Sequence, residues 1–436
     1  MTQAAEWQET TLRECAIWYS GGTPRTSEPA YWNGDIPWIS SGSLKSFYIY
    51  DSDRRVTQLG LENGTRLVPQ GAVIFVVRGM SLKSEFRVGI AKRPVAFGQD
   101  CKALVAKPCI HPEFLANVLR SKESEILSLV QESGHGTGTL QTDVMKALRV
   151  PLPPIEEQQR IVEFVSAFDR RIMLLQEMNN NLEAVAQALF TSWFIDFDPV
   201  RAKADGREPE GMDAEMAALF PSQFESSEVG LIPSGWRVTT LSELCDLNPE
   251  SWSDKYHPEL ITYLDLGSVK DNKITGMAEY TYTGAPSRAR RVLRTWDTII
   301  GTVRPGNRSF AFILDAPSGM TGSTAFAVLR PRKAAFAEFV YLASTRKENI
   351  ERLASLADGG AYPAVSPHLV HQTPIVCPPV QVIEAFAERV RPLFCRIAAN
   401  QRYAATLSAV RDTLLPRLIS GKLRVPEAEE ALKEVL

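Results

Sequence analysis

One spacing constrains this chain more than any other property: its motifs recur about 225 residues apart, so the polypeptide holds two copies of one plan. Gly136-Thr137-Gly138-Thr139-Leu140 leads into Val150-Pro151-Leu152-Pro153-Pro154-Ile155. At that offset stand Ala361-Tyr362-Pro363-Ala364-Val365 and then Ile375-Val376-Cys377-Pro378-Pro379-Val380. Upstream, Glu113-Phe114-Leu115 matches Glu338-Phe339-Val340, and Lys122-Glu123 matches Lys347-Glu348. The openings agree as well: Trp7, Thr11, Leu12 and Glu14 answer to Trp236, Thr240, Leu241 and Glu243. Val73 to Arg78 parallels Ile299 to Arg304, whereas the stretches between these anchors differ widely. Chance does not keep offsets of 225 to 229 residues, in order, across so many separate anchors. The chain is read as a duplication.

Each copy has the same internal order. A mixed stretch carries short β-type runs, among them Val73–Val77, Ala103–Val105, Ile299–Val303 and Phe326–Leu329, punctuated by Gly and Pro. A Pro-Pro pair follows, which suits the first turn of a helix and not its interior. Beyond it, Ile161, Val165, Phe168, Ile172, Leu175, Asn179, Leu182, Ala186, Leu189 and Trp193 alternate spacings of four and three, the seam of a coiled coil. At 1.5 Å per residue this first helix would be a rod of roughly 65 Å. The second copy repeats the seam at Phe386, Val390, Leu393, Ile397, Asn400, Ala404, Leu407, Arg411, Leu414 and Leu418, with Arg411 the exception. Pro392 should kink this helix or delay its start. Two seams in one chain most simply pair with each other. Asn179 and Asn400, one on each, are candidates for fixing register, at a cost in stability; a solvent-facing position is the alternative.

The expected fold is therefore α/β of the mixed α+β kind. Two similar globular domains are separated by two long antiparallel coiled-coil helices, with a pseudo-two-fold internal repeat. Boundaries follow from the motifs: a first domain over 1–152, a first spacer helix over 153–200 and an acidic connector over 201–230. A second domain covers 231–376 and a second spacer helix 377–425, leaving a frayed end over 426–436.

The net charge of −3 hides an uneven distribution. Residues 1–152 hold 17 basic and 15 acidic side chains, 153–200 hold 3 and 8, and 201–230 hold 3 and 7. The second domain holds 16 and 14, and 377–436 hold 9 and 7, so acid collects in the middle and both domains are net basic. No apolar run approaches the roughly 20 residues of a membrane span. Charged residues among the first fifteen argue against a secretory signal. Cys15, Cys101, Cys109, Cys245, Cys377 and Cys395 form no CxxC pair, so reduced thiols in a cytoplasmic protein are expected.

Catalytic motifs do not emerge. Ser420-Gly421-Lys422 lacks a glycine-rich lead-in, and HExxH, GxSxG and kinase signatures are missing. A base-amino methyltransferase needs an Asn/Asp-Pro-Pro-aromatic motif, but the Pro-Pro pairs here follow Leu152 and Cys377. Asp196-Phe197-Asp198-Pro199 is read as solvated acids at a helix end, not as a metal site. Gly134-His135-Gly136-Thr137-Gly138-Thr139 is read as a flexible loop before the last strand, because its counterpart Gly359–Ala364 has lost most of the glycine.

Several segments resemble one family in order. Trp7 and Leu12 with Gly21-Gly22-Thr23-Pro24 and Tyr31-Trp32-Asn33-Gly34-Asp35-Ile36-Pro37-Trp38-Ile39 resemble the start of a target-recognition domain in type I restriction–modification specificity subunits. Leu152-Pro153-Pro154-Ile155-Glu156-Glu157-Gln158 resembles that family's spacer-helix entry. Trp193-Phe194-Ile195-Asp196-Phe197-Asp198-Pro199-Val200 with Ile232-Pro233-Ser234-Gly235-Trp236 resembles its inter-domain link, and Leu414 to Leu423 its C-terminal signature. The second copy departs in lacking Glu-Gln after Pro378-Pro379, and a GGTP-type opening. The resemblance implies a non-catalytic DNA-reading subunit that binds no cofactor itself. Its partners would be double-stranded DNA, two modification subunits using S-adenosylmethionine, and two restriction subunits using ATP and Mg. Each domain would read one half of a split target.

Basic side chains at strand ends and loops are the candidate DNA contacts, because Arg and Lys serve phosphates and guanine edges. In the first domain these are Arg54, Arg55, Arg78, Lys83, Arg87 and Lys92; in the second, Arg288, Arg290, Arg291, Arg294, Arg304 and Arg308. Tyr31, Trp32 and Trp38 are assigned to core packing over base stacking. The competing reading is a two-headed scaffold that binds proteins; steep loss of binding with salt would mark DNA instead.

Overall fold

The computed structural model describes residues 7–133, 137–360 and 362–433. The chain divides into two compact units: unit 1 is Met1–Leu174 with Ala404–Leu436, and unit 2 is Leu175–Tyr403.

In unit 1 the fully buried run Val73–Val76 forms the middle of a five-stranded sheet, in the order Ala16–Ser20, Cys101–Ala106, Val73–Val76, Val88–Ala91, Tyr48–Ile49. Strands buried on both faces read as continuous apolar runs, as this one does. A four-stranded sheet runs Arg55–Val56, Trp32–Ile39, Val95–Phe97, Leu67–Val68. The helix Pro112–Ser121 starts with proline in its first turn and buries Phe114, Leu115, Val118 and Leu119 in the same core. Gln8–Thr11 pairs with Arg149–Leu152, so the two ends of the globular part meet where the first long helix begins.

Unit 2 repeats the order of this topology, with four strands in its first sheet where unit 1 has five. Its sheets run Cys245–Leu247, Phe326–Pro331, Thr298–Gly301, Phe310–Phe312 and Ala278–Thr281, Leu260–Leu264, Met320–Ser323, Ala289–Val292. In both units the second sheet contains one parallel pair, with Ala96 facing Trp38 in unit 1 and Thr321 facing Tyr263 in unit 2. Each partner moves by 225 residues. Duplication thus extends to individual backbone pairings.

Register also corrects one sequence alignment. Val73 faces Leu104 and Thr298 faces Leu329, so Val73 occupies the place of Thr298 and not of Ile299. Side chains alternate across a sheet, so a one-residue slip would turn every one of them to the wrong face. Under the true register Arg78 corresponds to Val303 and Gly79 to Arg304.

The long helices Ile155–Phe194 and Val380–Ile419 have 40 residues each and pack together. In unit 1, Ile161 and Val165 of the first share a core with Leu415, Leu418 and Ile419 of the second. In unit 2, Ala186, Phe190 and Trp193 share a core with Phe386, Val390 and Ile397. The start of one helix therefore lies with the end of the other, an antiparallel pairing. Leu393 and Leu414 are only half-buried, and Phe394 and Leu415 beside them take the interior positions. Leu182 and Leu189 are likewise half-buried, with Phe190 inside.

Polar groups are built into this packing. Arg411, the exception in the apolar pattern, donates to Asp169 at 2.6 Å, and Arg120 reaches the same carboxylate at 3.0 Å. In unit 2 the Asn400 amide donates to Asn179 Oδ1 at 2.8 Å, and Tyr341 donates its hydroxyl to Glu183.

Three expectations are corrected. Pro392 does not delay the start of its helix, which runs from Val380 to Ile419 without a break. Val390, Phe394 and Ile397 are all buried around it, and that burial outweighs the roughly 3 kcal/mol a helical proline costs. The acidic connector is not simply exposed: the helices Asp198–Ala204 and Ala214–Ala218 and the pair Phe224–Ser227 with Gly230–Pro233 occupy it. Its Phe220 is buried against Trp193 and Trp236, apolar area that an acidic composition conceals. Val425–Lys433 is a helix and not a frayed end, because Val425 and Ala428 insert into the unit 1 core.

Candidate nucleic-acid interface

In unit 1 the turn after the central strand is the most open basic element. Arg78–Gly79 pairs with Thr137–Thr139, and a 3-10 turn, Met80–Lys83, follows. Thr137–Thr139 is itself a strand, where sequence suggested a loop, and residues 134–136 with His135 lie outside the described residues. Arg78 and Lys83 are exposed and have no acidic partner among the described residues; Met80 beside them is 73% exposed. Arg54 lies 3.9 Å over the Trp32 ring and 5.0 Å from that of Trp38. Those indoles pack edge to face at 5.3 Å and donate to the Arg25 and Gly22 carbonyls, as core residues do.

The other three candidate cations of this unit are paired within it. Arg55 pairs with Asp51. Arg87 donates to Glu85 at 2.8 Å and to the Ser41 carbonyl at 3.1 Å. Lys92 donates to Glu113 at 3.0 Å, next to Tyr48, whose hydroxyl donates to the same carboxylate at 2.6 Å. Burial pushes that Tyr48 phenol above its ordinary value.

Unit 2 pairs two of the four arginines of its arginine-rich segment, Arg288 and Arg294, with carboxylates. Arg288 donates to Asp265 at 2.7 Å and to the Tyr263 hydroxyl at 3.0 Å. Arg294 donates to Glu250 at 2.8 Å, which holds that carboxyl below its usual range, and Arg308 pairs with Asp271. Arg330, absent from the sequence candidates, joins Glu250 to the buried Asp297, whose carboxyl is pushed up by burial. Arg291 is half-buried and reaches Ser251 at 3.2 Å, its guanidinium held below its ordinary value by desolvation. Two arginines instead lie on rings. Arg290 sits 4.8 Å over Tyr282, which stacks on His257 at 3.8 Å, and Arg304 sits 4.6 Å over Tyr362. Tyr282, His257 and Tyr362 were not singled out in the sequence; an isolated aromatic gives no signal until its partner is known. No group of three His, Cys, Asp or Glu side chains among the described residues is arranged to hold a metal.

Residues 4–184 match the model of a family described as the type I restriction modification DNA specificity domain. The type I restriction enzyme MjaIX specificity subunit of Methanocaldococcus jannaschii is 26% identical over 433 residues, covering 97% of this chain and 94% of that protein. The alignment runs through both units and both long helices. This chain is similar along its length to type I specificity subunits, and its residues 4–184 match their DNA specificity domain. The type I restriction enzyme HindI specificity subunit of Haemophilus influenzae is 27% identical over 372 residues, covering 74% of this chain and 80% of its own. The crystal structure of the S subunit of a type I restriction–modification system from M. genitalium has the same fold. It covers 96% of this chain and 97% of its own, with a TM-score of 0.50 at 15% identity. Among the candidate cations, Arg78 and Lys83 lie exposed at a turn, Arg54, Arg290 and Arg304 lie over aromatic rings, and Arg55, Arg87, Lys92, Arg288, Arg294 and Arg308 are paired with carboxylates.

Proposed function

We propose that this chain is the non-catalytic DNA-reading subunit of a type I restriction–modification complex. Each unit reads one half of a bipartite, asymmetric target. The paired helices set the spacing of the halves and dock two modification subunits. Those partners carry S-adenosylmethionine chemistry, and two restriction subunits supply ATP- and Mg-dependent translocation; the assembly works in the cytoplasm. The observation that carries this reading is a shared sheet order, with equivalent backbone pairings 225 residues apart, beneath unlike basic surfaces. Equal frames with unequal contacts suit two different half-sites. The contacts proposed are Arg54, Arg78 and Lys83 in unit 1 and Arg290 and Arg304 in unit 2, with the carboxylate-paired arginines as internal braces.

Replacing residues 1–152 with the equivalent domain of a relative tests this directly, with methylated adenines mapped across a genome. One half of the modified sequence should change while the other half and the gap persist. Change in both halves, or in neither, would overturn the assignment.

A further inference from the structure

The turn after the central strand differs in kind between the units. Thr139 faces Arg78 in unit 1 and Ala364 faces Val303 in unit 2, so Met80 answers to Pro305 and Lys83 to Arg308. Pro305 is buried, and Arg308 is paired with Asp271. In unit 1 the same stretch is open, because Arg78, Met80 and Lys83 are all exposed.

Unit 1 holds this turn firmly. Its entry is fixed by the pairing of Arg78–Gly79 with Thr137–Thr139, and by the Val77 amide, which donates to the Asp100 carbonyl at 2.9 Å. Its middle is fixed by Leu82, which is buried in the unit 1 core. A Cβ on Gly138 would stand 2.8 Å from Leu82 Cβ, so glycine there is what lets the strand and the turn close together. At its exit the Glu85 amide donates to the Ser81 carbonyl at 2.7 Å, and the Phe86 amide donates to Glu123 at 2.9 Å.

On that anchored turn one side chain has no partner in the core. Met80 is 73% exposed, and no large apolar side chain among the described residues is more so. A lone apolar residue on a surface ordinarily needs no explanation. This one lies in sequence between Arg78 and Lys83, exposed cations with no acidic partner among the described residues. Phosphate contacts of such cations fix a protein's register on a duplex, and what lies between them meets the groove. Base edges in the major groove are polar but for one group, the C5-methyl of thymine. A flexible thioether chain is suited to cover it.

We infer that Met80 reads the methyl group of a thymine in the half-site taken by unit 1. This rests on the DNA-reading function proposed above. Unit 2 has a buried proline at that place, so its half-site is read by other means.

The test uses the full chain assembled with its modification subunits. Selection from randomised DNA duplexes gives the target, and each of its thymines is then replaced by uracil, which removes the methyl group alone. Wild type should lose about fourfold in binding at one thymine, the worth of a methyl group withdrawn from water. That thymine should lie in the half that changes when residues 1–152 are exchanged. Met80→Ala should bind the original target about fourfold more weakly and ignore uracil at that position. Met80→Leu should keep the response. Neither variant should alter the salt slope, since no phosphate contact is lost. An exposed side chain is changed here, so the fold is retained. The inference is overturned if uracil has no effect at any thymine, or if Met80→Ala keeps the full response. It is overturned equally if Met80→Ala weakens binding alike on every sequence, since that marks a wedge between base pairs and not a methyl contact. If wild type selects no sequence at all, the DNA-reading function falls and this inference with it.

Discussion

In unit 1 the helix Pro112–Ser121 meets the long helices through charge: Arg120 and Arg411 both donate to Asp169, which is 6% exposed. At the same three places unit 2 has Thr345, Ala186 and Phe394. There Phe394 packs edge to face on Phe312 at 5.1 Å and Tyr341 at 5.7 Å, and those two rings stack at 4.7 Å. One backbone plan thus tolerates a buried ion triad in one copy and an aromatic triad in the other. Geometry is shared; the chemistry filling it is free to diverge. A buried triad is weak support for stability, since apolar replacement of such groups is often neutral or stabilising, but removing one member strands the others.

The largest expected effect breaks the charged side of this comparison. Asp169→Ala should cost unit 1 about 3–5 kcal/mol, because Arg411 keeps a buried charge without its counter-ion. Urea unfolding followed by tryptophan fluorescence measures it, and a cost below about 1 kcal/mol would remove the triad from any structural role. Installing the other copy's residues together, Arg120→Thr with Asp169→Phe and Arg411→Ala, should recover most of the loss.

A smaller effect is expected in unit 2. Asn400→Ala leaves the Asn179 amide facing an apolar seam and should cost about 1–3 kcal/mol. Replacing both asparagines with leucine should be nearly neutral, or stabilising, in the same unfolding measurement. If the single and double variants cost the same, the 2.8 Å hydrogen bond between them contributes nothing.

The basic surfaces give a third contrast, in the salt dependence of DNA binding. Arg78→Ala and Lys83→Ala should each lower the slope of log K against log salt by about 0.9. Arg288→Ala and Arg294→Ala should leave it in place, because Asp265 and Glu250 already neutralise those side chains. Equal slopes for all four variants would erase the distinction between open and braced cations.

Smallest is a labelling difference that treats the units alike. Each has one exposed thiol, Cys109 in unit 1 and Cys395 in unit 2. Burial pushes the Cys15, Cys101 and Cys245 thiols up to about 12, so almost no thiolate forms at pH 8. Mass spectrometry after brief alkylation of the native protein should find two modified cysteines; labelling of Cys101 would mean that the unit 1 sheet opens.

Much of the architecture was legible because it is repetitive. The doubled anchors and the seam spacing both express which faces are buried, and burial is what sequence periodicity records. The single-residue slip at Ile299 arose because Ile-Ile and Val-Ile look alike by composition; only pairing with Leu329 separates them. Individual contacts were less legible. Arg294 and Glu250 are 44 residues apart, and Arg288 and Asp265 are 23 apart, so no local pattern announces that they neutralise each other. Arg411 was the one hint, a cation on an apolar seam that required an acid nearby. Phe220 gave none, since one aromatic in an acidic stretch reads as linker until Trp193 and Trp236 close over it.

The triad around Asp169 draws its members from three distant parts of the gene: Arg120 in a globular domain, Asp169 in the first long helix and Arg411 in the second. A crossover that imports a new reader upstream of the first helix carries its own residue at position 120 into contact with a resident aspartate. Recombination between relatives is then not freely modular. Incoming readers that lack a cation there arrive with a built-in handicap, and lineages that shuffle this domain should retain arginine or lysine at that one half-buried position while everything around it changes.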